Sequence, residues 1–174
     1  MTEARDSSGE AGLVRCDDEP TAADLVAVTD LLARRPQGRF RVVVRHADGS
    51  PVVIRNEPLL DDGTPMPTLY WLLGEPERTK VSRLESRGGV HRVEDEIGLD
   101  VIAAAHDRYR TERDALLPAE WEGPRPSAGV GGTRVGVKCL HAHYGWWLAG
   151  GDDPVGRWVA ERLAAGDGDP EPRL

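Results

Sequence analysis

The sequence has few cysteines, few aromatic residues and no excess of basic residues. Its 174 residues include two Cys, three Tyr and one Phe. Two cysteines cannot build the dense disulfide framework that stabilises many small secreted proteins. The 22 Lys and Arg residues are outnumbered by 30 Asp and Glu residues, so the net charge is -8. Because nucleic acids and anionic membranes are bound by basic surfaces, we expect neither as a partner.

Long apolar runs are absent as well. No run approaches the ~20 residues that a membrane-spanning helix requires. The first residues do not show the charged and then apolar pattern of a signal peptide. These absences predict a cytoplasmic protein in which both thiols are reduced.

The chain does contain enough apolar residues, 39% of the total, to build a hydrophobic core. Its length is typical of one domain. Both ends are rich in small and acidic residues, which bury too little apolar area to offset the entropy lost on ordering. We therefore predict a single domain at residues 13–165, between disordered tails at residues 1–12 and 166–174.

The clearest secondary-structure signal is a β-hairpin. Two runs of β-branched residues, at 40–46 and 52–56, flank the turn sequence Asp48-Gly49. Residues 68–73 are predicted to form a further strand. The sequence thus predicts a small, mostly antiparallel sheet made of the hairpin at 39–56 and the strand at 68–73.

About five helices are predicted to pack against this sheet, most of them placed by a start or stop signal. They begin near Thr21, Glu75, Val101, Val137 and Asp153. Because helices and strands do not alternate strictly along the chain, the predicted fold class is α+β.

The segment from Gly129 to Trp147 has the highest density of reactive side chains. A glycine-rich loop leads into a predicted helix that carries Lys138, Cys139, His141 and His143. A helix that only filled the core would have Leu and Ala at such positions. We therefore interpret this segment as the candidate functional site, with buried or hydrogen-bonded polar residues as the alternative.

Catalysis by cysteine is one hypothesis for this segment. Cys139 lies near a predicted helix start, where the helix dipole lowers the pKa of a thiol. His143 follows four residues later on the same helix face and could be its base. His141 lies about 160° from Cys139 on a regular helix, so the three side chains do not converge on one metal ion. The candidate catalytic residues are Cys139, His143 and His141, and no metal site is predicted.

Anion binding is the favoured hypothesis. The backbone N–H groups of Gly129, Gly131 and Gly132 can converge before a helix start, which is a common anion site. Arg134 and Lys138 lie near the start of the predicted helix, where the helix dipole disfavours a cation. A bound anion would reverse this effect. The predicted partner is a small ligand that carries a phosphate or a carboxylate. A flexible loop with solvated cations is the alternative.

A second cluster of polar residues lies at the end of the hairpin. Asn56, Glu57 and Asp62 belong to a strand end and a proline-rich loop, where binding groups often accumulate. We predict that they complete the same ligand-binding pocket, because neither cluster alone has enough convergent polar groups. An ordinary turn is the alternative for the Asp62 region.

A protein–protein adaptor is the alternative function. Trp and Tyr residues often dominate the energy of protein interfaces. The candidate anchors are Tyr70, Trp71 and the pair Trp146-Trp147.

Several long sequence strings carry a family resemblance. They are found at residues 55–72, 81–85, 88–90, 136–143 and 153–156. Through these strings the chain resembles the bacterial domain-of-unknown-function family 501 (DUF501) over residues 40–163. The resemblance implies a bacterial protein. Since that family has no assigned activity, the reaction and the cofactor remain unknown.

Overall fold

The computed structural model describes residues 12–171 of the chain. In this range four strands form one antiparallel sheet in the order β1-β2-β3-β4. The strands are β1 (Leu13–Asp18), β2 (Phe40–His46), β3 (Pro51–Asn56) and β4 (Tyr70–Leu72).

The described range also contains six α-helices and a short 3₁₀ helix at Val130–Gly132. The α-helices are α1 (Ala22–Leu32), α2 (Glu77–Ser86), α3 (Gly89–Ile97), α4 (Leu99–Asp114), α5 (Leu140–Leu148) and α6 (Pro154–Ala164). This combination of one antiparallel sheet with helices confirms the α+β class. No helix in residues 12–171 has both the length and the apolar character needed to cross a membrane.

The predicted hairpin and third strand are confirmed. In β2 and β3, Phe40 pairs with Asn56, and in β3 and β4, Ile54 pairs with Trp71. Strand β1 was not predicted from the sequence. Its side chains are mostly exposed, so it carries little apolar signal, and its position depends on backbone pairing with β2 at the sheet edge.

The two faces of the sheet are covered unequally. Helix α1 covers one face, where Val28 packs in a small cluster with Val42 and Ile54. The other helices cover the opposite face and build the larger core, which includes the aromatic side chains of Tyr109 and Trp146. Because β2 and β3 bury apolar side chains on both faces of the sheet, they are rich in β-branched residues.

The signals at the starts of α1 and α6 are confirmed. Thr21 and Asp24 form a reciprocal capping box at α1, and the Asp153 side chain accepts a hydrogen bond from the N–H of Val155 at α6. Helix α3 was not predicted, because the pair Gly88-Gly89 has the pattern of a helix stop. Gly88 has a left-handed φ of 80°, which ends α2 and lets the chain turn directly into α3.

Helix α5 starts at Leu140, three residues later than predicted. The N–H of Val137 donates to the Glu94 carboxylate at 2.8 Å instead of joining the helix. Cys139 has extended backbone angles, with φ of -152° and ψ of 143°. The helical spacing used in the sequence prediction therefore does not apply to Cys139.

Most of the two predicted tails lies outside the described residues. Of the predicted N-terminal tail, only Gly12 is among the described residues. Residues 172–174 of the predicted C-terminal tail also lie outside the described range. Residues 166–169 form a hydrogen-bonded turn against the helices. Arg87 donates to the backbone carbonyls of Asp167 and Asp169, and Arg92 pairs with the Asp167 carboxylate at 3.1 Å.

Candidate functional site

A cavity of about 330 Å³ opens beside β4 and is called the cleft below. Four predicted site residues line it, namely Gly131, Lys138, Cys139 and His141. The other lining residues are Leu32, Arg34, Thr68, Tyr70, Trp71, Leu72, Leu73 and Ala142. The cleft therefore brings the end of α1, strand β4 and the segment before α5 to one place.

The position of the cleft follows from the edge of the sheet. Strand β4 is an edge strand, and its three residues together with the following Leu73 line the cleft from both faces of the sheet. Tyr70 and Leu72 belong to the large core, whereas Leu73 belongs to the cluster under α1. Since neighbouring residues of a strand point to opposite faces, a cavity that meets all of them runs along the strand edge.

Cys139 and His141 form a compact cluster with Glu85, which reaches them from α2. One potential ligand atom of each residue lies within 4.8 Å of the other two. The Nδ1 atom of His141 is 3.3 Å from Oε1 of Glu85. Its Nε2 atom lies 3.2 Å from the carbonyl oxygen of Arg78. The Ser82 hydroxyl, 3.1 Å from this Nε2, itself donates to the same carbonyl, so both neighbouring oxygens are acceptors and Nε2 carries a proton.

The cluster controls the charge of its members. Burial opposes charging of His141, but its contacts with Cys139 and Glu85 outweigh this effect and raise the pKa of His141 to about 9. Burial likewise opposes ionisation of Glu85, but His141 and the N–H of Leu140 lower the pKa of its carboxyl. At neutral pH an imidazolium therefore lies beside the thiol of Cys139, as it does beside many reactive cysteines.

The predicted pairing of Cys139 with His143 is replaced by the contact with His141. His143 is fully buried, and its Nδ1–H donates to Oδ2 of Asp153 at 2.7 Å. Its Nε2 atom has no hydrogen-bond partner within the described part of the chain. The helical wheel misassigned the partners because Cys139 precedes the first residue of α5.

Two of the three backbone donors predicted in the glycine-rich loop are used inside the protein. The N–H of Gly129 donates to Thr133 O at 2.7 Å, and the N–H of Gly132 donates to Gly129 O at 3.0 Å. At the start of α5 the N–H of Leu140 donates to the carboxylate of Glu85. An internal carboxylate thus takes the place that the sequence hypothesis assigned to a bound anion.

Only two of the five residues predicted to hold the anion line the cleft, Gly131 and Lys138. Arg134 is exposed and does not line the cleft. Gly129 packs against the ring of His106, which explains the need for glycine there. The loop is therefore mainly a structural connection that delivers Gly131 and Lys138 to the cleft.

The second polar cluster also has structural roles. The Asn56 side chain is buried and donates to the carbonyls of Thr68 and Leu69, which holds the chain that enters β4. Asp62 accepts a hydrogen bond from the N–H of Thr64, as the turn interpretation predicts. Asn56 and Glu57 line a separate narrow crevice that shares Arg34 and Trp71 with the cleft.

Sequence reasoning missed Glu85 and Arg34 as site residues. Glu85 follows Val81 by four residues, so a carboxylate on the inward side of α2 was the available signal. Arg34 follows the end of α1, where the sequence shows no ligand motif. In the structure its guanidinium lies 5.5 Å from the centre of the Trp71 ring. This cation–π contact fixes a positive charge at the cleft.

Two of the four aromatic anchors proposed for an adaptor are buried. Tyr70 is 5% exposed and Trp146 is 1% exposed. Both donate hydrogen bonds to the carboxylate of Glu112. Trp71 and Trp147 remain partly exposed. Two of the four anchors therefore belong to the core.

We expect Cys139 to react with iodoacetamide about tenfold faster than Cys16 at neutral pH in protein treated with a chelator. Cys139 lines the cleft beside the protonated His141, whereas the Cys16 thiol donates to the carbonyl of Val42. Burial and the nearby Asp18 raise the pKa of the Cys16 thiol, which lowers its thiolate fraction. Quantitative mass spectrometry of the two labelled peptides over time measures both rates.

The matched variants for this experiment are Cys16→Ser and Cys139→Ser, each of which leaves one thiol. His141→Gln should reduce the rate at Cys139 and leave the rate at Cys16 unchanged. Equal rates at the two cysteines, or a rate at Cys139 that is insensitive to His141→Gln, would contradict the expected role of the imidazolium.

Most of the chain matches a known protein family. Residues 42–161 match the family described as protein of unknown function (DUF501). The matched range contains most of β2, all of β3 and β4, and all three residues of the Glu85–Cys139–His141 cluster. No curated protein and no solved structure matches the chain. Because the family match covers well over half of the 174 residues, the chain belongs to the DUF501 family.

Proposed function

We propose that the protein binds a small organic anion in the cleft. The observation that carries this proposal is the charge of the lining. Lys138 and Arg34 are exposed cations that line the same cavity, and the described lining residues include no acidic side chain. In a chain with a net charge of -8, such a local positive region favours an anionic ligand.

The rest of the lining indicates that the ligand also has an apolar part. Leu32, Trp71, Leu73 and Ala142 contribute apolar side chains to the cavity. A volume of about 330 Å³ lies in the range of small-molecule sites, which usually combine apolar walls with a few polar groups. A carboxylate or phosphate attached to a small apolar group matches both features.

The bound anion would lie close to Cys139 and His141, which line the same cavity. A thiol beside a protonated imidazole is suited to nucleophilic attack followed by proton transfer. Cys139 is therefore the nucleophile, and His141 the proton carrier, that we assign to any reaction in the cleft. Glu85 orients His141 through the 3.3 Å contact at Nδ1.

Binding of benzoate and phenyl phosphate to chelator-treated protein tests the proposal. We expect both probes to shift the indole N–H signal of Trp71 in a ¹H–¹⁵N spectrum, with Trp71→Phe identifying that signal. Lys138→Ala should weaken binding about tenfold, because one charge-assisted contact contributes about 1.4 kcal/mol. The control is Lys80→Ala, since Lys80 lines a different cavity. No shift at millimolar probe, or equal affinities in both lysine variants, would contradict the proposal.

A further inference from the structure

We propose that Glu85, Cys139 and His141 bind one divalent transition-metal ion, with zinc as the best match, and leave one coordination position open toward the cleft. This cation site goes beyond the proposed anion binding and does not depend on it. The roles of nucleophile and proton carrier assigned to Cys139 and His141 apply to the metal-free protein, because a bound ion would occupy their ligand atoms. It is carried by the convergence of three different ligand types from two parts of the chain, α2 and the start of α5.

The spacing of the three side chains is close to that of a zinc site. Zinc lies about 2.0–2.3 Å from its ligands, so tetrahedral ligand atoms are about 3.3–3.8 Å from one another. The three potential ligand atoms lie within 4.8 Å of one another, and the Nδ1–Oε1 distance between His141 and Glu85 is already 3.3 Å. A side-chain movement of about 1 Å would therefore complete the geometry.

The ring of His141 is oriented as in a metal-binding histidine. Its Nε2–H donates to the carbonyl oxygen of Arg78, 3.2 Å away. Metal-bound histidines commonly donate the second ring N–H to a carbonyl or carboxylate, which fixes the tautomer and the ring direction. With Nε2 protonated, the Nδ1 atom of His141 faces Oε1 of Glu85. In the metal-free protein the Nδ1–H of the imidazolium donates to this carboxylate oxygen, and a bound metal ion would take the place of that proton.

The types of ligand atom select zinc over the abundant hard cations. Mg²⁺ and Ca²⁺ prefer sites built from oxygen atoms alone. A thiolate, an imidazole nitrogen and a carboxylate oxygen are the three ligand types that zinc accepts. The cluster offers one of each, from Cys139, His141 and Glu85.

The open position follows from the location of the cluster. Cys139 and His141 line the cleft, whereas Glu85 approaches from α2 and is not one of the lining residues. An ion held by these residues is therefore exposed on the cleft side. Three protein ligands with one open position are typical of catalytic zinc sites, where water or substrate completes the coordination. Lys138 and Arg34 would lie around this position.

Titration of the chelator-stripped, full-length protein with Zn²⁺ and Co²⁺ tests the site. We expect one ion per chain by calorimetry, and visible absorption bands of tetrahedral Co²⁺ together with a thiolate-to-cobalt band. Cys139→Ser and His141→Gln should each weaken zinc binding by more than about tenfold. The matched controls Cys16→Ser and His91→Gln should bind zinc as the unmodified chain does, because neither residue belongs to the cluster.

Thermal melting of the metal-free variants checks that each one folds. Bound zinc should also protect Cys139 from iodoacetamide, which gives a readout that does not depend on the stability of a variant. Absence of the cobalt bands, or zinc affinities unchanged by both Cys139→Ser and His141→Gln, would overturn the metal site. The anion test uses chelator-treated protein, so failure of zinc binding leaves its outcome unaffected.

Discussion

Replacement of Gly129 by alanine is expected to lower the free energy of unfolding by about 3 kcal/mol. A Cβ atom at this position would lie 2.4–2.6 Å from three atoms of the His106 side chain. That ring is buried and held at both nitrogens, by the N–H of Val130 at Nδ1 and by the carbonyl of Gly136 at Nε2. It cannot move away without breaking hydrogen bonds that water cannot replace.

The matched control is Gly131→Ala in the same loop. A Cβ at Gly131 would have its nearest neighbour at 3.6 Å, so there is room for it, but the φ of 64° is left-handed. Its expected cost is about 1 kcal/mol, which is the strain of such a backbone conformation. Urea denaturation of the two variants and the unmodified chain measures both values. A smaller loss for Gly129→Ala than for Gly131→Ala would contradict the packing role of Gly129.

Replacement of Asp153 by alanine is expected to cost about 4 kcal/mol in the free energy of unfolding. One buried carboxylate serves two partners in the structure. Its Oδ1 accepts from the N–H of Val155 at the start of α6, and its Oδ2 accepts from Nδ1 of His143 at 2.7 Å. The alanine variant removes the helix cap and leaves the His143 N–H buried without an acceptor.

Asp153→Ser separates these two contributions. Serine is a good N-cap residue, but its side chain is too short to keep the contact with His143. We expect it to restore about 1 kcal/mol of the loss caused by alanine, which is the usual value of a cap. The same denaturation experiment measures the difference. If Asp153→Ser were as stable as the unmodified chain, the contact between Asp153 and His143 would contribute nothing to stability.

Local signals placed many of the secondary-structure elements. The hairpin was predictable because Asp48-Gly49 lies between two β-branched runs, and the caps at Thr21 and Asp153 depend on side chains near the helix start. Strand β1 and helix α3 were not predictable from such signals. The strand depends on backbone pairing with β2 and the helix on a backbone turn at Gly88, and neither leaves an apolar pattern in the sequence.

The sequence also indicated the segment that contributes three residues to the candidate site, because Lys138, Cys139 and His141 lie close together along the chain and are unusual for a core helix. The choice of partners was not. The sequence prediction paired Cys139 with His143 on a regular helix, whereas α5 begins after Cys139 and the contact is with His141.

The sequence by itself determined the α+β class, the hairpin, two helix caps and membership of DUF501. Each of these depends on residues that are close together along the chain. Only the tertiary structure decided that Glu85 joins Cys139 and His141, and that Arg34 joins Lys138 at the cleft. These contacts connect positions more than 50 residues apart, because packing of α2, α5 and the sheet edge brings them together. Spacing along one helix or strand contains no information about such neighbours.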